Sequence, residues 1–340
     1  MDKPTILLTG ISGFIAKHCA VELLNAGYGV RGTVRSLAKS AEVRESLARH
    51  APVSRLEFVQ ADLTADSGWG AAVRGCGHVV HVASPFPAHP PKHDDELIRP
   101  AVDGTLRVMR AAVEGGVRRF VQTSSMVAVM YGHPRTRTEP FTEDDWTRVE
   151  SPDVTAYGKS KTLAERAARE FAAREGAALH YSSVNPGFVL GPALDRDIGT
   201  SAAVIQMFLK GKYPGVPRLM IPCVDVRDVA RMHRLALETS APSGGRYLCA
   251  AEVLSFLEMS LAIREKLGAE ARRSPTRELP DWAIRLVALF DGAARQAVPD
   301  LGRPMDVDNS RTVRTLGMTF IPAREAAVAM ARSLLDLHLA

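Results

Sequence analysis

The chain has 340 residues, 46% of them hydrophobic and 24% charged, which is the balance of a globular protein with room for one large domain or two smaller ones. The formal net charge is +5, but the sequence contains no long basic run. The densest cluster of basic residues, at 133–138, predicts a solvated loop rather than a nucleic-acid-binding face. The N-terminal apolar run leads directly into glycine and the late run at 283–290 contains Arg285, so we expect a cytoplasmic protein without a secretion signal or membrane span.

The first half of the sequence alternates short β-branched runs with longer helical patterns. Strands are predicted at 5–9, 29–34, 56–60, 78–83, 118–125 and 179–184. Helices are predicted between them at about 14–26, 36–49, 68–74, 94–115 and 155–175. This alternation indicates βαβ units, and right-handed crossovers then place helices on both faces of a doubly wound parallel sheet of the α/β class.

The rhythm changes after Pro186, where proline and glycine become frequent. Helical patterns return at 200–211, 226–239, 255–267, 280–295 and 323–339. We therefore predict a second, smaller lobe that is mostly helical and has a few short strands.

A glycine loop joins the first strand to the first helix. Gly10 permits a tight turn, Gly13 lets the backbone approach a pyrophosphate, and Ala16 keeps the helix close to the sheet. The helix N-terminus then offers its unpaired N–H groups to the anion, which predicts a dinucleotide site. Asp62, at the end of the third strand, accepts from an adenine amine or caps a helix.

The second strand ends in bases where many dinucleotide sites carry a carboxylate. Arg35 leaves the strand, Lys39 follows four residues later on the predicted helix, and nothing acidic occurs between Glu22 and Glu42. Arginine binds a phosphate with paired hydrogen bonds, whereas a carboxylate repels it. The segment therefore predicts NADP rather than NAD, while Arg31 either faces away from Arg35 or lies in solvent.

A tyrosine and a lysine lie four residues apart at the start of the helix that precedes the sixth strand. Tyr157 and Lys161 share one helical face, while Lys159 points elsewhere. An ammonium and an oxidised nicotinamide both lower the pKa of a nearby phenol, which suits acid–base work on a carbonyl. A serine at the end of the fifth strand, Ser125 or alternatively Ser124, can hydrogen-bond that carbonyl.

In order along the chain, "TGISGFIA", "GTVRS", "ADL", "HVASPF", "RRFVQTSS", "YGKSK", "NPGFVLGP", "VDVRDVARMH" and "GRYL" resemble the extended short-chain dehydrogenase/reductases with a Rossmann-type fold. The resemblance is closest to the dihydroflavonol-reductase-like group of NADPH-dependent aldehyde and ketone reductases. It implies the catalytic residues Ser125, Tyr157 and Lys161. It implies cofactor-binding roles for Gly10, Ser12, Gly13, Phe14, Ile15, Arg35, Lys39, Asp62, Leu63, Val82, Ala83, Ser84, Tyr157, Lys161, Pro186, Gly187 and Val189.

The resemblance also implies how the chain is divided. Residues 1–186 and about 222–238 would form the NADP-binding domain, and about 187–221 and 239–340 the substrate-binding lobe. Family members often dimerise through the helices at 94–115 and 155–175, although the subgroup also includes monomers. We therefore expect a monomer or a homodimer.

The expected activity is reduction of a small carbonyl compound to an alcohol with NADPH. Candidate substrate-binding residues are Phe86, Met126, Tyr131, Phe188, Met207 and Pro222. Few charges occur among them, so we expect an apolar substrate, aromatic or branched. Hydroxysteroid dehydrogenases and nucleotide-sugar epimerases share this fold and stay open as alternatives, as does a dinucleotide-sensing regulator, although such a regulator would normally lack the tyrosine–lysine pair.

Other sites are not supported by the sequence. His78 and His81 face opposite sides of a strand, and His89 and His93 have no acidic or cysteine partner, so no metal is expected. There is no G-x-S-x-G motif of a serine hydrolase. The four cysteines are far apart, which predicts free thiols.

Overall fold

The computed structural model describes residues 3–84, 93–176 and 178–340. Its strands are β1 (Thr5–Thr9), β2 (Gly29–Val34), β3 (Leu56–Gln60), β4 (Cys76–His81), β5 (Arg119–Thr123), β6 (His180–Pro186), β7 (Phe188–Leu190), β8 (Met220–Asp225), β9 (Gly245–Cys249) and β10 (Glu252–Ser255). Seven of them form one parallel sheet in the order β3-β2-β1-β4-β5-β6-β9.

The helices cover both faces of this sheet. They are α1 (Phe14–Asn25), α2 (Ser40–Ala48), α3 (Trp69–Val73), α4 (Asp95–Glu114), α5 (Ala156–Arg174), α6 (Thr200–Lys210), α7 (Val226–Glu238), α8 (Phe256–Leu267), α9 (Asp281–Val287), α10 (Gly292–Ala297), α11 (Ser310–Leu316) and α12 (Ala323–Asp336). Helices α1 and α7 pack together, as do α4 and α5. On β1, Ile6 and Leu8 join the core on the α1 side, whereas Leu7 joins the core on the α4 side. Because successive strand residues face opposite sides, this double burial explains why the strand is apolar throughout. The predicted fold class is confirmed.

The strand order places a crevice at the centre of the sheet. β1 pairs with β2 on one side and with β4 on the other, so the chain reverses direction across the sheet at this point. In doubly wound sheets, ligands bind at the carboxyl ends of the strands beside such a switch. The loops that follow the parallel strands therefore form the natural site.

The remaining strands and the C-terminal helices form the smaller lobe. β8 pairs in parallel with β7 and antiparallel with β10, giving a second, three-stranded sheet. Helix α12 packs against α8 and α6, with Met330 and Leu334 fully buried. This sheet brings residues 219–222 to one side of the crevice, which connects the lobe to the site.

Two boundaries in the predicted division need correction. The division assigns 245–249 to the substrate lobe, but β9 pairs in parallel with β6 at the edge of the main sheet. It also assigns 222–225 to the first domain, whereas β8 belongs to the small sheet and only α7 packs on α1. At both segments the chain changes from one sheet to the other. Strand pairing rather than sequence composition therefore decides to which sheet each segment belongs.

The predicted helix at 280–295 is two short helices. Helix α9 ends at Val287 and α10 begins at Gly292. The Asp291 carboxylate accepts from the backbone N–H of Ala294 at 3.0 Å, which caps the second helix and stops the first from continuing.

The surroundings of His81 and of the four cysteines indicate structural roles for these side chains. His81 is buried with Nδ1 2.9 Å from the Thr9 hydroxyl, and among the described residues no three metal-ligating side chains form a group that could hold an ion. His89 lies outside the described residues. All four cysteines are buried and unpaired. Within the described ranges no helix is both long and apolar enough to cross a membrane, and the cytoplasmic location stays a prediction.

Candidate active site

A cavity of about 770 Å³ lies at the carboxyl ends of the parallel strands. It brings together most of the residues that the sequence singles out for the site. Those that line it are Gly10, Ser12, Gly13, Phe14, Ile15, Arg35, Asp62, Leu63, Val82, Ala83, Ser84, Ser125, Met126, Tyr131, Tyr157, Lys161, Pro186, Gly187, Phe188, Val189 and Pro222. Lys39 and Met207 are not among the lining residues, and Phe86 lies outside the described part of the chain.

The glycine loop is built for close approach of its backbone to another group. Gly10 has φ +67°, and a Cβ there would lie 3.0 Å from the Cβ of Ala83. The Gly10 N–H donates to the Thr33 hydroxyl and the Ala83 N–H to the Thr9 hydroxyl, both at 2.9 Å, which ties the loop to its neighbouring strands. Gly13 begins α1 without a side-chain cap, so the first N–H groups of the helix are available to an anion. These features fit a bound dinucleotide.

Positive charge lines the cavity beyond β2. Arg35 is exposed there and helps to lower the pKa of Asp62, although the main cause is the pair of hydrogen bonds from Thr64 to that carboxylate. Arg31 instead donates to Glu57 at 3.0 Å and to the carbonyl of Ala72. Arg31 therefore serves strand packing, and Arg35 is the base that the cavity presents.

The predicted pairing of Arg35 with Lys39 on one helical face does not form. Residues 37–39 are a 3₁₀ turn capped by the Ser36 hydroxyl, and α2 begins only at Ser40. Arg35 precedes the turn and is not on a helix. The 3.6-residue spacing that would align the two side chains is therefore absent.

The three predicted catalytic residues meet in the cavity. Ser125, Tyr157 and Lys161 all line it, and Lys161 Nζ is 5.9 Å from the centre of the tyrosine ring. Burial raises the pKa of Tyr157, and the side chain of Ser125 opposes that rise. The lowering expected from the sequence is thus not produced by the polypeptide's own groups. A raised pKa keeps the phenol protonated, which is the form that donates a proton.

The lysine is more strongly affected by its surroundings. Burial lowers the pKa of Lys161 to about 8, and the carboxylate of Glu165 one turn further along α5 opposes that change. At neutral pH the Lys161 amine is therefore still protonated in most molecules. A charged group of this kind beside a phenol stabilises the phenolate that forms when the proton leaves.

The two candidate serines have different partners. Both line the cavity, but the Ser124 hydroxyl is used within the protein, since its Oγ donates to the buried Glu165 Oε2 at 2.6 Å. Ser125 Oγ has longer contacts: it accepts from the Val127 N–H at 3.3 Å and donates to the Pro186 carbonyl at 3.5 Å. This geometry favours Ser125 for contact with a substrate.

A buried ion pair that sequence reasoning missed lies beneath the trio. Glu165 is fully buried and within hydrogen-bond distance of Ser124, Ser183, Asn185 and Arg246, at 2.6 to 3.0 Å. Arg246 also donates to the carbonyl of Ala128 at 3.0 Å, and its guanidinium lies 3.7 Å from the ring centre of Trp146. The spacing Tyr157, Lys161, Glu165 along one helical face is the signal that could have found the carboxylate.

Comparison with known proteins decides the family. Residues 6–250 match the model of the NAD dependent epimerase/dehydratase family. The chain belongs to this family.

The relatives of this family member include plant reductases. Cinnamoyl-CoA reductase 1 of Oryza sativa is 34% identical over 327 residues, which are 96% of this chain and 88% of the relative. Dihydroflavonol 4-reductase of Zea mays is 32% identical, with 78% of this chain and 75% of the relative covered. The predicted resemblance to the dihydroflavonol-reductase-like group and the predicted class, an NAD(P)-dependent oxidoreductase, are confirmed.

A solved structure resembles this chain over nearly its whole length. The yeast methylglyoxal/isovaleraldehyde reductase Gre2, complexed with NADPH, superposes with a TM-score of 0.82 at 24% identity, covering 98% of this chain and 99% of that one. At this identity the likeness concerns the fold. It includes the smaller lobe as well as the dinucleotide-binding sheet.

The wall of the cavity that is predicted to bind substrate differs from the prediction in some of its residues. Met126, Tyr131, Phe188 and Pro222 line it as expected, but α6 contributes Thr200 and Ser201 from its first turn rather than Met207. Other lining residues were missed by sequence reasoning, among them Met130, Asp197, Leu219, Met220, Ile221, Asp300 and Met305. No local motif marks these positions, because they come from segments that only the folded lobe brings together.

Proposed function

We propose that this protein is an NADPH-dependent carbonyl reductase that converts an apolar aldehyde or ketone into an alcohol. The observation that supports this most is that Ser125, Tyr157 and Lys161 line the same cavity as the Gly10 loop, with Lys161 Nζ 5.9 Å from the ring centre of Tyr157. A proton donor is then next to the place where a carbonyl can meet a dinucleotide. The named relatives, which are themselves reductases, support the same class.

The cofactor-binding residues have separate tasks in this proposal. NADPH, when bound, supplies a hydride from C4 of its nicotinamide. The uncapped start of α1 at Gly13 binds the pyrophosphate, and Arg35 binds the 2′-phosphate with paired hydrogen bonds. Lys161 holds the ribose near the nicotinamide, while Pro186 and Gly187 line the cleft beside it.

The catalytic trio then completes the reduction. Ser125 donates a hydrogen bond to the carbonyl oxygen and orients it. Tyr157 gives its phenolic proton to the developing alkoxide, acting as the general acid. Because burial raises the pKa of Tyr157, the proton is present at neutral pH, and the Lys161 ammonium stabilises the phenolate left behind.

The substrate is a small molecule whose reacting end meets an apolar wall. Met126, Met130, Phe188, Leu219 and Met305 line that part of the cavity, which favours aromatic or branched groups near the carbonyl. We place the activity in the cytoplasm, with the protein acting as a monomer or a homodimer.

The test is a turnover assay that follows NADPH consumption with aromatic aldehydes, aliphatic and branched ketones, 3-ketosteroids and UDP-sugars. We expect turnover of hydrophobic carbonyl compounds. Turnover of ketosteroids alone would favour a hydroxysteroid dehydrogenase, and conversion of a UDP-sugar without net NADPH consumption would favour an epimerase. Tight NADPH binding with no turnover of any compound would favour a dinucleotide-sensing regulator. The ketosteroid outcome would narrow the proposed substrate to steroids, and either of the other two outcomes would overturn the proposed activity.

A further inference from the structure

One wall of the substrate cavity combines apolar side chains with a carboxyl group. Met126, Met130, Tyr131 and Met305 belong to one hydrophobic cluster and line the cavity. Asp300 lines the same cavity at the end of the 3₁₀ turn Val298–Asp300, and 26% of its side chain is exposed. A carboxyl group in such surroundings is costly unless its oxygens receive hydrogen bonds.

The protein satisfies this carboxyl group only in part. The Tyr131 hydroxyl donates to Asp300 Oδ2 at 3.2 Å. Oδ1 is buried and has no hydrogen-bond partner among the described residues. Buried polar groups that lack partners are rare in folded proteins, and each needs an explanation.

The nearby arginine does not supply the missing bond. Arg303 Nη1 is 3.9 Å from Asp300 Oδ1, beyond hydrogen-bond distance, and donates instead to Asp153 Oδ2 at 3.1 Å. Its Nη2 lies 3.4 Å from the carbonyls of Met130 and His133. Arg303 is therefore committed to other acceptors. Asp300 lines the cavity through the exposed part of its side chain rather than through the buried Oδ1, and its carboxylate, with one hydrogen bond from Tyr131, keeps acceptor capacity beside that cavity.

Resting on the proposed reductase activity, we propose that Asp300, oriented by Tyr131, binds a hydroxyl group of the substrate at a fixed distance from the reacting carbonyl. The substrate class is then an apolar carbonyl compound with a hydroxyl at its far end. A hydroxyl fits better than an ammonium ion, because Arg303 and the guanidinium of Arg135 already place positive charge around this carboxyl group.

The test uses methyl ketones of increasing chain length that end in a hydroxyl, methoxy or methyl group. For the unmodified protein with NADPH, kcat/KM should favour hydroxyl over methoxy by about tenfold at one chain length, a difference of about 1.4 kcal/mol. The preference should decline at shorter and longer chains, since the distance from Asp300 to Tyr157 is fixed. No preference at any length, or a stronger preference for a terminal amine, would overturn the proposal.

Three variants locate the preference. Asp300→Leu should lower the ratio of kcat/KM for the hydroxy ketone over the methoxy ketone from about ten to about one. Tyr131→Phe, which removes one oxygen, should weaken the preference in the same direction and covers the case that Asp300→Leu does not fold. Asp153→Asn removes the other carboxylate partner of Arg303 and should keep the preference. Equal loss in the Asp153 variant would assign the effect to the fold instead.

The reductase activity and the hydroxyl site can fail separately. Turnover of the methyl-ended ketones reports the activity alone. If no ketone is turned over, calorimetric binding of the hydroxy and methoxy compounds to the NADP-loaded protein still measures the preference. Equal affinities in that measurement would overturn the hydroxyl site as well.

Discussion

Two carboxyl groups, one fully buried and one partly exposed, mark a closed part and an open part of the active-site region. Glu165, beneath the catalytic helix, is fully buried and has four donors around it. Asp300, on the substrate wall, receives one hydrogen bond and keeps part of its side chain exposed in the cavity. The closed part supports the groups to which we assign the proton transfer, whereas the open part leaves polar capacity for a ligand.

The difference follows from what each part has to do. Acid catalysis requires a donor held within hydrogen-bond reach of the substrate, and a fully satisfied buried network provides that rigidity. Recognition of a substrate requires a group whose hydrogen bonds are completed only by the ligand. Breaking the fully satisfied network around Glu165 should therefore cost much stability, whereas substituting the partly satisfied Asp300 should cost little.

The largest effect on stability is expected from matched amide substitutions in the two parts. Glu165→Gln leaves the Arg246 guanidinium buried without its charged partner, and breaking a buried pair in this way costs about 3 kcal/mol or more. Asp300→Asn should cost about 1 kcal/mol or less, because only one hydrogen bond is affected. The measurement is the free energy of unfolding in urea.

The control for these substitutions is Glu170→Gln on the outer face of α5. Glu170 pairs with Arg174 at the surface, where such pairs contribute less than about 1 kcal/mol. Equal destabilisation by the Glu165 and Asp300 variants would remove the distinction between a closed and an open part.

Acid should destabilise the protein through two buried histidines. Burial lowers the pKa of His233 to about 4 and that of His81 to about 3, and these rings contact the Thr123 and Thr9 hydroxyls at the strand ends. The unfolded chain therefore binds more protons below pH 6.5, and stability falls as the pH drops from about 6.5 to 4. Each histidine contributes about 1.4 kcal/mol per pH unit within that window.

The measurement is the unfolding free energy at several pH values between 4 and 7. His233→Gln should flatten its pH dependence by about one proton. An unchanged slope in the His233 variant would show that another group is responsible for the acid sensitivity.

The smallest expected effect concerns the preference between NADPH and NADH, which we assign to the exposed Arg35. We expect a preference for NADPH over NADH of at least about tenfold, or about 1.4 kcal/mol. Arg35→Ala should remove most of it by raising KM for NADPH with little change for NADH. Lys39→Ala should have a weaker effect, since Lys39 does not line the cavity. Equal use of the two cofactors by the unmodified protein would contradict a phosphate-binding role.

The sequence predicts the glycine loop and the catalytic trio better than the carboxyl groups around them. Gly10 and Gly13 lie in one loop, and Tyr157 and Lys161 lie one helical turn apart, so local spacing is sufficient to predict their chemistry. The parallel sheet is also predictable, because alternating short strands and helices leave few topologies.

Partners that come from distant segments could not be predicted in the same way. Arg246 meets Glu165 across 81 residues, and Tyr131 meets Asp300 across 169. Neither contact produces a local pattern, because the first depends on β9 joining the main sheet beside β6 and the second on how the C-terminal lobe packs against that sheet. The Lys39 prediction differed for a local reason, since a 3₁₀ turn replaces the expected start of the helix.

The central claim is that Tyr157 donates the proton in an NADPH-dependent reduction, and one measurement tests it most directly. Single-turnover oxidation of bound NADPH is compared for the unmodified protein and Tyr157→Phe, with NADPH affinity measured on the same samples. We predict a rate lower by two or more orders of magnitude with nearly unchanged affinity. Lys161→Ala should impair both, and Lys159→Ala, which breaks only the contact with Asp94, should impair neither. A near-normal rate in the phenylalanine variant would contradict the mechanism.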